Sequence, residues 1–315
     1  MSFLVAITQW EPEPWIERFR RLMPERKVVA LGESFEPAKV QYVASWKHPP
    51  GSLAALPNLK VLFSLGAGVD HLLGDPQLPN VPLIRVVDED LTNRMSEYVV
   101  LHCLMHLRGQ RRHDEQQRRK VWFDDRFQPG AHEVRVGIMG LGVLGQDAAR
   151  KLKVMGFDVA GWSRSPRPPL EGMETFSGEA GLDAFLARTD ILVCLLPLTE
   201  ATRGILNRPA FERLARDGRL GGPVVINAGR GGLQVEADIL ACLDEGVLKA
   251  ATLDVFEAEP LPPESPLWTH PAVTVTPHNA AMSSPDSIAE QIADQVRAFE
   301  RGEPLRNIVD PRLQY

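Results

Sequence analysis

The run Gly140-Leu141-Gly142-Val143-Leu144-Gly145 follows an apolar segment, Val134–Met139, and opens a helical pattern, Val143–Met155. A lone GxGxxG is a weak signal, but between a strand and a helix, inside a βαβ unit, it is a strong one. Gly140 permits a tight turn, Gly142 lets the backbone approach a pyrophosphate, and Gly145 lets helix and strand pack closely. The helix N-terminus offers N–H groups and a positive dipole end to phosphates. Leu141, Val143 and Leu144 complete this dinucleotide-binding loop. The bland alternative is a glycine turn that holds no ligand.

The next strand ends in Trp162-Ser163-Arg164-Ser165. Chains that bind NAD place Asp or Glu about here, on the ribose 2′-hydroxyl. This chain has no acid between Val159 and Leu170. A guanidinium with hydroxyls binds a 2′-phosphate that a carboxylate would repel. One charge-assisted hydrogen bond contributes roughly 1.5–3 kcal/mol, or about 10- to 150-fold in affinity. Ser163, Arg164 and Ser165 therefore favour NADP(H), with NAD(H) still possible. An arginine that simply lies in water, with relaxed cofactor choice, is the alternative.

Three later segments carry polar groups just beyond apolar runs: Asn227-Ala228-Gly229-Arg230-Gly231, Asp254-Val255-Phe256-Glu257-Ala258-Glu259-Pro260 and Pro277-His278-Asn279. Ligands of open α/β sheets bind outside the strand carboxyl ends, so Arg230, Glu259 and His278 would converge there. Taken singly, each has a structural reading: a histidine that only packs, an arginine that anchors a turn, a glutamate that caps. Earlier in the chain, Gly66-Ala67-Gly68-Val69 follows another apolar run. Its successive N–H groups can form an anion-binding nest, or the loop is only a strand-to-helix turn. Trp46 ends the preceding apolar run, as a pocket wall or as a packing residue.

Together these motifs resemble the D-isomer-specific 2-hydroxyacid dehydrogenase family over nearly the whole chain. The order GxGxxG, NxxRG, DVFxxEP, PH is specific. Within the family the likeness narrows to the bacterial A-type glyoxylate/hydroxypyruvate reductases, through Trp46 with His48-Pro49-Pro50, Leu65–Asp70, Trp162-Ser163-Arg164 and Pro260–Trp268. The resemblance implies catalytic roles. Arg230 grips the substrate carboxylate and carbonyl, which a bidentate, permanently charged fork suits. His278 is the general acid and Glu259 the carboxylate that orients it. The related formate dehydrogenases carry Gln in place of that Glu. The resemblance also assigns Leu196, Pro197, Asn227, Ala228, Gly229 and Asp254 to the cofactor, and Trp46, Ala67, Gly68, Val69, Arg230 and His278 to the substrate. Gly229 stands where Ala or Ser is usual, and Asn279 where an apolar residue is common. Both departures bear on substrate preference, not on reaction type.

Elements must hold these residues in place. Short apolar runs at Phe3–Thr8, Val28–Leu31, Val40–Trp46, Leu59–Leu65 and Leu83–Val87 read as strands, with a helix over Pro14–Met23. Ser96–Arg119 reads as one long helix with Gly109 as its weak point and a basic second half, which is more simply a solvated or subunit-facing surface than an anion site. A second βα series follows. Its strands are Val134–Met139, Asp158–Trp162, Ile191–Leu195, Val224–Asn227, Ala250–Leu253 and Val273–Thr276. Between them lie helices at Val143–Met155, Leu182–Ala187, Arg208–Arg216 and Val235–Leu243. Ser283 or Ser284 caps a last helix that begins at Pro285 and closes at Gly302. Continuous apolar strands alternating with helices predict an α/β fold with parallel sheets covered on both faces.

The expected architecture is two doubly wound parallel-sheet domains. The resemblance makes residues 1–95 plus 284–315 a flavodoxin-like substrate domain and residues 96–283 a Rossmann cofactor domain, with a cleft between them and a homodimer as the assembly. The length of 315 residues accommodates both domains, and leaves little room for a further regulatory one. A net charge of -6 argues against a nucleic-acid partner. Cys103, Cys194 and Cys242 are far apart and form no CxxC, so neither a disulfide framework nor a metal site is expected, and a reducing cytoplasm fits. The N-terminus has no signal-peptide pattern and no apolar run is long enough for a membrane span. The expected activity is NADPH-dependent reduction of a small 2-oxo acid, glyoxylate or hydroxypyruvate, to the 2-hydroxy acid. Two other readings stay open: a dehydrogenase for another 2-oxo acid, and a dinucleotide-sensing, corepressor-like binding protein.

Overall fold

Phe3, Val5 and Ile7 point to one face of the first strand and Leu4 and Ala6 to the other, and all five are buried. A strand that is apolar on both faces needs cover on both. The computed structural model, which describes residues 1–8, 10–168, 170 and 172–314, supplies it. The chain forms two compact units, Met1–Leu91 with Ser283–Tyr315, and Thr92–Met282.

In the first unit, β1 (Ser2–Ile7), β2 (Lys27–Ala30), β3 (Val40–Trp46), β4 (Val61–Ser64) and β5 (Leu83–Ile84) form a parallel sheet in the order β2-β1-β3-β4-β5. That is the flavodoxin-like order. Helices α1 (Glu13–Leu22) and α9 (Pro285–Glu300) cover one face through Ile16, Phe19, Ile288, Ile292 and Val296. Leu53 and Leu56, in the connection after β3, and Leu72, on α2 (Asp70–Leu73), cover the other. Ser284 caps α9, accepting from Ser287 N–H at 3.4 Å, and Gly302, at φ 81°, ends it.

In the second unit, β6 (Arg135–Met139), β7 (Asp158–Ser163), β8 (Glu174–Ser177), β9 (Ile191–Cys194), β10 (Val224–Asn227), β11 (Ala250–Leu253) and β12 (Val273–Val275) form a seven-stranded parallel sheet. Its order, β12-β11-β10-β9-β6-β7-β8, reverses direction between β6 and β9. This is the dinucleotide-binding order with one further strand, and the reversal marks the switch point where such sheets bind ligands. Helices α3 (Glu89–Arg108) and α5 (Val143–Val154) pack Val99, Cys103, Ala148 and Leu152 on one face. Phe185 of α6 (Gly178–Ala187), Phe211 of α7 (Arg208–Glu212) and Ile239 of α8 (Glu236–Asp244) pack on the other.

The structure differs from expectation at several element ends and at one strand. Helices α3 and α6 begin at Glu89 and Gly178, before the expected Ser96 and Leu182. The long helix is two, α3 and α4 (Gln110–Arg119), because Gly109 takes a left-handed conformation at φ 64° that only glycine adopts without cost. Helix α7 stops at Glu212, four residues early, and Ala215 N–H donates instead to Thr189 O at 3.1 Å. Strand β8 was not anticipated. It is an edge strand with a polar, half-exposed sequence, and edge strands lack the apolar run that marks central ones.

Candidate active site

Six neighbouring strands of the second unit end in the residues singled out by sequence. The glycine loop follows β6. Gly140 has φ 111°, and a Cβ on it would lie 2.9 Å from the Leu195 carbonyl carbon. A Cβ on Gly145 would lie 1.9 Å from Gly140 O, so helix α5 starts in backbone contact with the turn. Gly142 differs: a Cβ there meets nothing within 4 Å. Among the described residues nothing demands glycine at that point, which fits a position kept bare for an incoming phosphate. Gly142 is also the N-cap of α5, so Val143 and Leu144 lie in the first turn, where amides face outward. This loop and helix end fit a dinucleotide.

Ser163 ends β7, next to β6. Its hydroxyl donates to Ser165 O at 2.8 Å, which folds the short segment so that Arg164 and Ser165 are exposed. Across the switch point, Leu196 and Pro197 follow β9, and the Leu196 backbone stands beside the Gly140 turn.

Asn227 ends β10 and organises the loop that carries Arg230. Its side-chain Oδ1 accepts from Gly229 N–H at 3.0 Å, and its Nδ2 donates to Arg230 O at 3.1 Å and to Gln234 Oε1 at 2.8 Å. Gln234 in turn donates to Val255 O at 2.9 Å. A Cβ on Gly231 would lie 1.8 Å from Phe256 O. The Arg230 loop is thereby held directly against the Asp254–Pro260 segment.

That segment turns back on itself. Glu259 Oε1 accepts from Phe256 N–H at 3.1 Å, which fixes the carboxylate, and the Glu259–Pro260 peptide is cis. Glu259 Oε2 then meets His278 Nδ1 at 2.8 Å. The two side chains are 25% and 38% exposed, so the pair is partly open to solvent. His278 lies in the left-handed region at φ 53°. Non-glycine residues pay for that conformation, roughly 1 kcal/mol or more, and keep it only where their surroundings enforce it. Here His278 N–H donates to Asp254 O at 2.8 Å, and the buried Asp254 carboxylate accepts from Asn279 and Ala280 N–H, both at 3.0 Å.

The arrangement brings Arg230, Glu259 and His278 onto one tied set of loops at the sheet's carboxyl edge. It can orient an anion and pass a proton from His278 Nε2, the ring nitrogen not engaged by Glu259. Among the described residues no group of three or more His, Cys, Asp and Glu side chains is arranged to hold a metal ion. No helix among them is long and apolar enough to cross a membrane.

In the first unit, Ala67, Gly68 and Val69 lie in the loop between β4 and α2. The Ser64 hydroxyl clasps this loop, accepting from Gly66 N–H at 3.1 Å and donating to Gly66 O at 2.9 Å. Trp46, at the end of β3, packs so closely that a Cβ on Gly66 would be 2.4 Å from its ring. Trp10 stacks on Trp46 with ring centres 4.5 Å apart. Sequence reading did not single out Trp10, because the pairing depends on two separate strand ends meeting.

Comparison with known proteins identifies the family. Residues 100–280 match the family described as D-isomer specific 2-hydroxyacid dehydrogenase, NAD binding domain. The fold superposes with a TM-score of 0.94 on an NADPH-dependent glyoxylate/hydroxypyruvate reductase from Sinorhizobium meliloti in complex with NADP and sulfate, 51% identical with 100% of both chains covered. A probable 2-hydroxyacid dehydrogenase from Rhizobium etli, in complex with NADP, HEPES and L(+)-tartaric acid, is 47% identical at a TM-score of 0.94, again covering 100% of both chains. A D-isomer specific 2-hydroxyacid dehydrogenase from Xanthobacter autotrophicus, in complex with NADPH and MES, is 39% identical at 0.93, covering 100% of this chain and 99% of that one. On the strength of the family match and of these full-length likenesses, the chain belongs to the D-isomer specific 2-hydroxyacid dehydrogenase family.

Proposed function

We propose that this protein reduces a small 2-oxo acid, glyoxylate or hydroxypyruvate, to the 2-hydroxy acid with NADPH. The observation that carries the reading is the His278 Nδ1–Glu259 Oε2 contact at 2.8 Å, on loops tied to Arg230. The reductase likeness at 51% identity supports the choice of substrate.

NADPH, when bound, supplies hydride to the carbonyl carbon. Gly140–Gly145 and the α5 N-terminus hold the pyrophosphate, and Arg164 with Ser163 and Ser165 holds the 2′-phosphate. Leu196, Pro197, Asn227, Ala228, Gly229 and Asp254 line the rest of the cofactor site. Arg230 binds the substrate carboxylate. In the first unit, the amides of Ala67, Gly68 and Val69, next to Trp46, form a nest suited to a carboxylate. His278 donates its Nε2 proton to the carbonyl oxygen while Glu259 keeps the ring oriented through Nδ1. Glu259 also offsets the positive charge of the imidazolium before transfer. With His278 38% exposed, solvent can return the proton after turnover.

The reading assigns residues 1–95 plus 284–315 to substrate and 96–283 to cofactor. It includes a homodimer, supported by the exposed Trp122, Phe123 and Phe127 after α4, and a cytoplasmic location, supported by three buried free thiols. A spectrophotometric panel of glyoxylate, hydroxypyruvate, pyruvate and phenylpyruvate, each with NADPH and NADH, tests it. Glyoxylate and hydroxypyruvate with NADPH give the highest kcat/KM. Turnover of none of the four rejects the enzymatic reading.

A further inference from the structure

Helix α3 places Tyr98, His102 and His106 one turn apart along a single face. Tyr98 and His102 are only 8% and 5% exposed, and their rings lie 4.2 Å apart. An apolar face would pack there without the cost of burying a hydroxyl, unless the hydroxyl is bonded. The Tyr98 hydroxyl lies 2.9 Å from Thr276 Oγ1, and Thr276 Oγ1 donates to Asp254 Oδ1 at 2.6 Å. Because the single Thr276 proton goes to the carboxylate, Tyr98 is the donor in the first bond. Burial holds the Tyr98 phenol above its usual range, so it keeps its proton. Asp254 then accepts the N–H groups of Asn279 and Ala280, next to His278 in its left-handed conformation.

We propose that Tyr98 and Thr276 are positioning residues for the reaction, holding His278 in place through a hydrogen-bond chain that ends on the Asp254 carboxylate. The proposal rests on the reading of His278 as the proton donor. Tyr98 and Thr276 are outside the residues assigned above to substrate and cofactor. They restrict the carboxylate that anchors both residues after His278, and a loosened anchor lets the imidazole drift from its working position.

The test is steady-state reduction of glyoxylate by NADPH with Tyr98→Phe, Thr276→Val and Thr276→Ser, each alone and combined with His278→Ala. Residual rates are read at high enzyme concentration. Tyr98→Phe and Thr276→Val lower kcat about tenfold with KM for NADPH unchanged within about twofold, as loss of one buried hydrogen bond in the transition state predicts. Thr276→Ser, which keeps the hydroxyl, stays within about threefold of the parent. In the His278→Ala background the same changes cost less than about twofold, because their target is gone. Imidazole nitrogen resonances of His278, assigned through His278→Ala, move in Tyr98→Phe and Thr276→Val and stay in place in Thr276→Ser. Equal losses with and without His278, or no loss in Tyr98→Phe and Thr276→Val, overturn this proposal and leave the proton-donor reading intact. Near-normal turnover of His278→Ala overturns both.

Discussion

Replacing Glu259 with Gln keeps the side chain's length and removes its charge. The two carboxylate oxygens have separate duties, Oε2 to His278 Nδ1 at 2.8 Å and Oε1 to Phe256 N–H at 3.1 Å. Glutamine has one acceptor oxygen. If that oxygen serves His278, the amide NH2 opposes the Phe256 N–H. If it serves Phe256, the NH2 opposes Nδ1 and drives the ring to the tautomer that is protonated only at Nε2. A charge-assisted bond contributes roughly 1 kcal/mol more than a neutral one. The lower end of the range applies, because His278 is 38% exposed and water screens the pair. The donor–donor conflict adds on the order of 1 kcal/mol. The sum of about 2 kcal/mol corresponds to about a 30-fold fall in kcat. The assay is glyoxylate reduction followed by NADPH absorbance, with NADPH affinity measured by fluorescence titration on the same sample. Affinity stays within about twofold, because Glu259 is outside the residues assigned to the cofactor. A kcat within twofold of the parent refutes the orienting role of Glu259.

Three further outcomes are expected. Arg164→Asp shifts the preference toward NADH by about 10- to 150-fold, the worth of one charge-assisted bond to the 2′-phosphate, in the ratio of kcat/KM values for the two cofactors; an unchanged ratio contradicts the assignment. Gly142→Ala leaves Tm unchanged but weakens NADPH binding at least about tenfold, whereas Gly145→Ala, whose Cβ would lie 1.9 Å from Gly140 O, lowers Tm by roughly 5 °C or more in a calorimetric scan. His106, hydrogen-bonded to Thr252 Oγ1 at 2.9 Å, is pushed down to about 4 by burial and then by the neighbouring His102, Lys249 and Arg111. The unfolded ring takes up its proton first, so this contribution is fully present above about pH 6.5 and is lost as pH falls through about 4. It amounts to roughly 3 kcal/mol at most, and His106→Gln flattens the acid limb of a urea-denaturation series across that window.

The parts of the site that were legible in sequence are those fixed by local backbone demands. Gly140 and Gly145 are dictated by a positive φ and a backbone contact within six residues, so their spacing alone announces them. The central strands were legible because both faces are apolar, as in Leu4 and Val5. Gly109 was visible as a weak point, but whether a helix continues through a glycine depends on what packs around it. Strand β8 gave no apolar signal because it is an edge. The Tyr98–Thr276 bond joins residues 178 positions apart, and the tie between Gln234 and Val255 spans 21. Contacts of that kind depend on strand order, which residue type does not encode locally. Arg230, Glu259 and His278 fall between these cases: their spacing resembled a family, while the bonds that hold them came only with the fold.

The most direct measurement is turnover and NADPH affinity of His278→Ala, read side by side on one preparation. Loss of a general acid predicts a fall in kcat of about 100-fold or more, with the NADPH dissociation constant unchanged within about twofold. Near-normal glyoxylate reduction by that variant would contradict proton donation from His278.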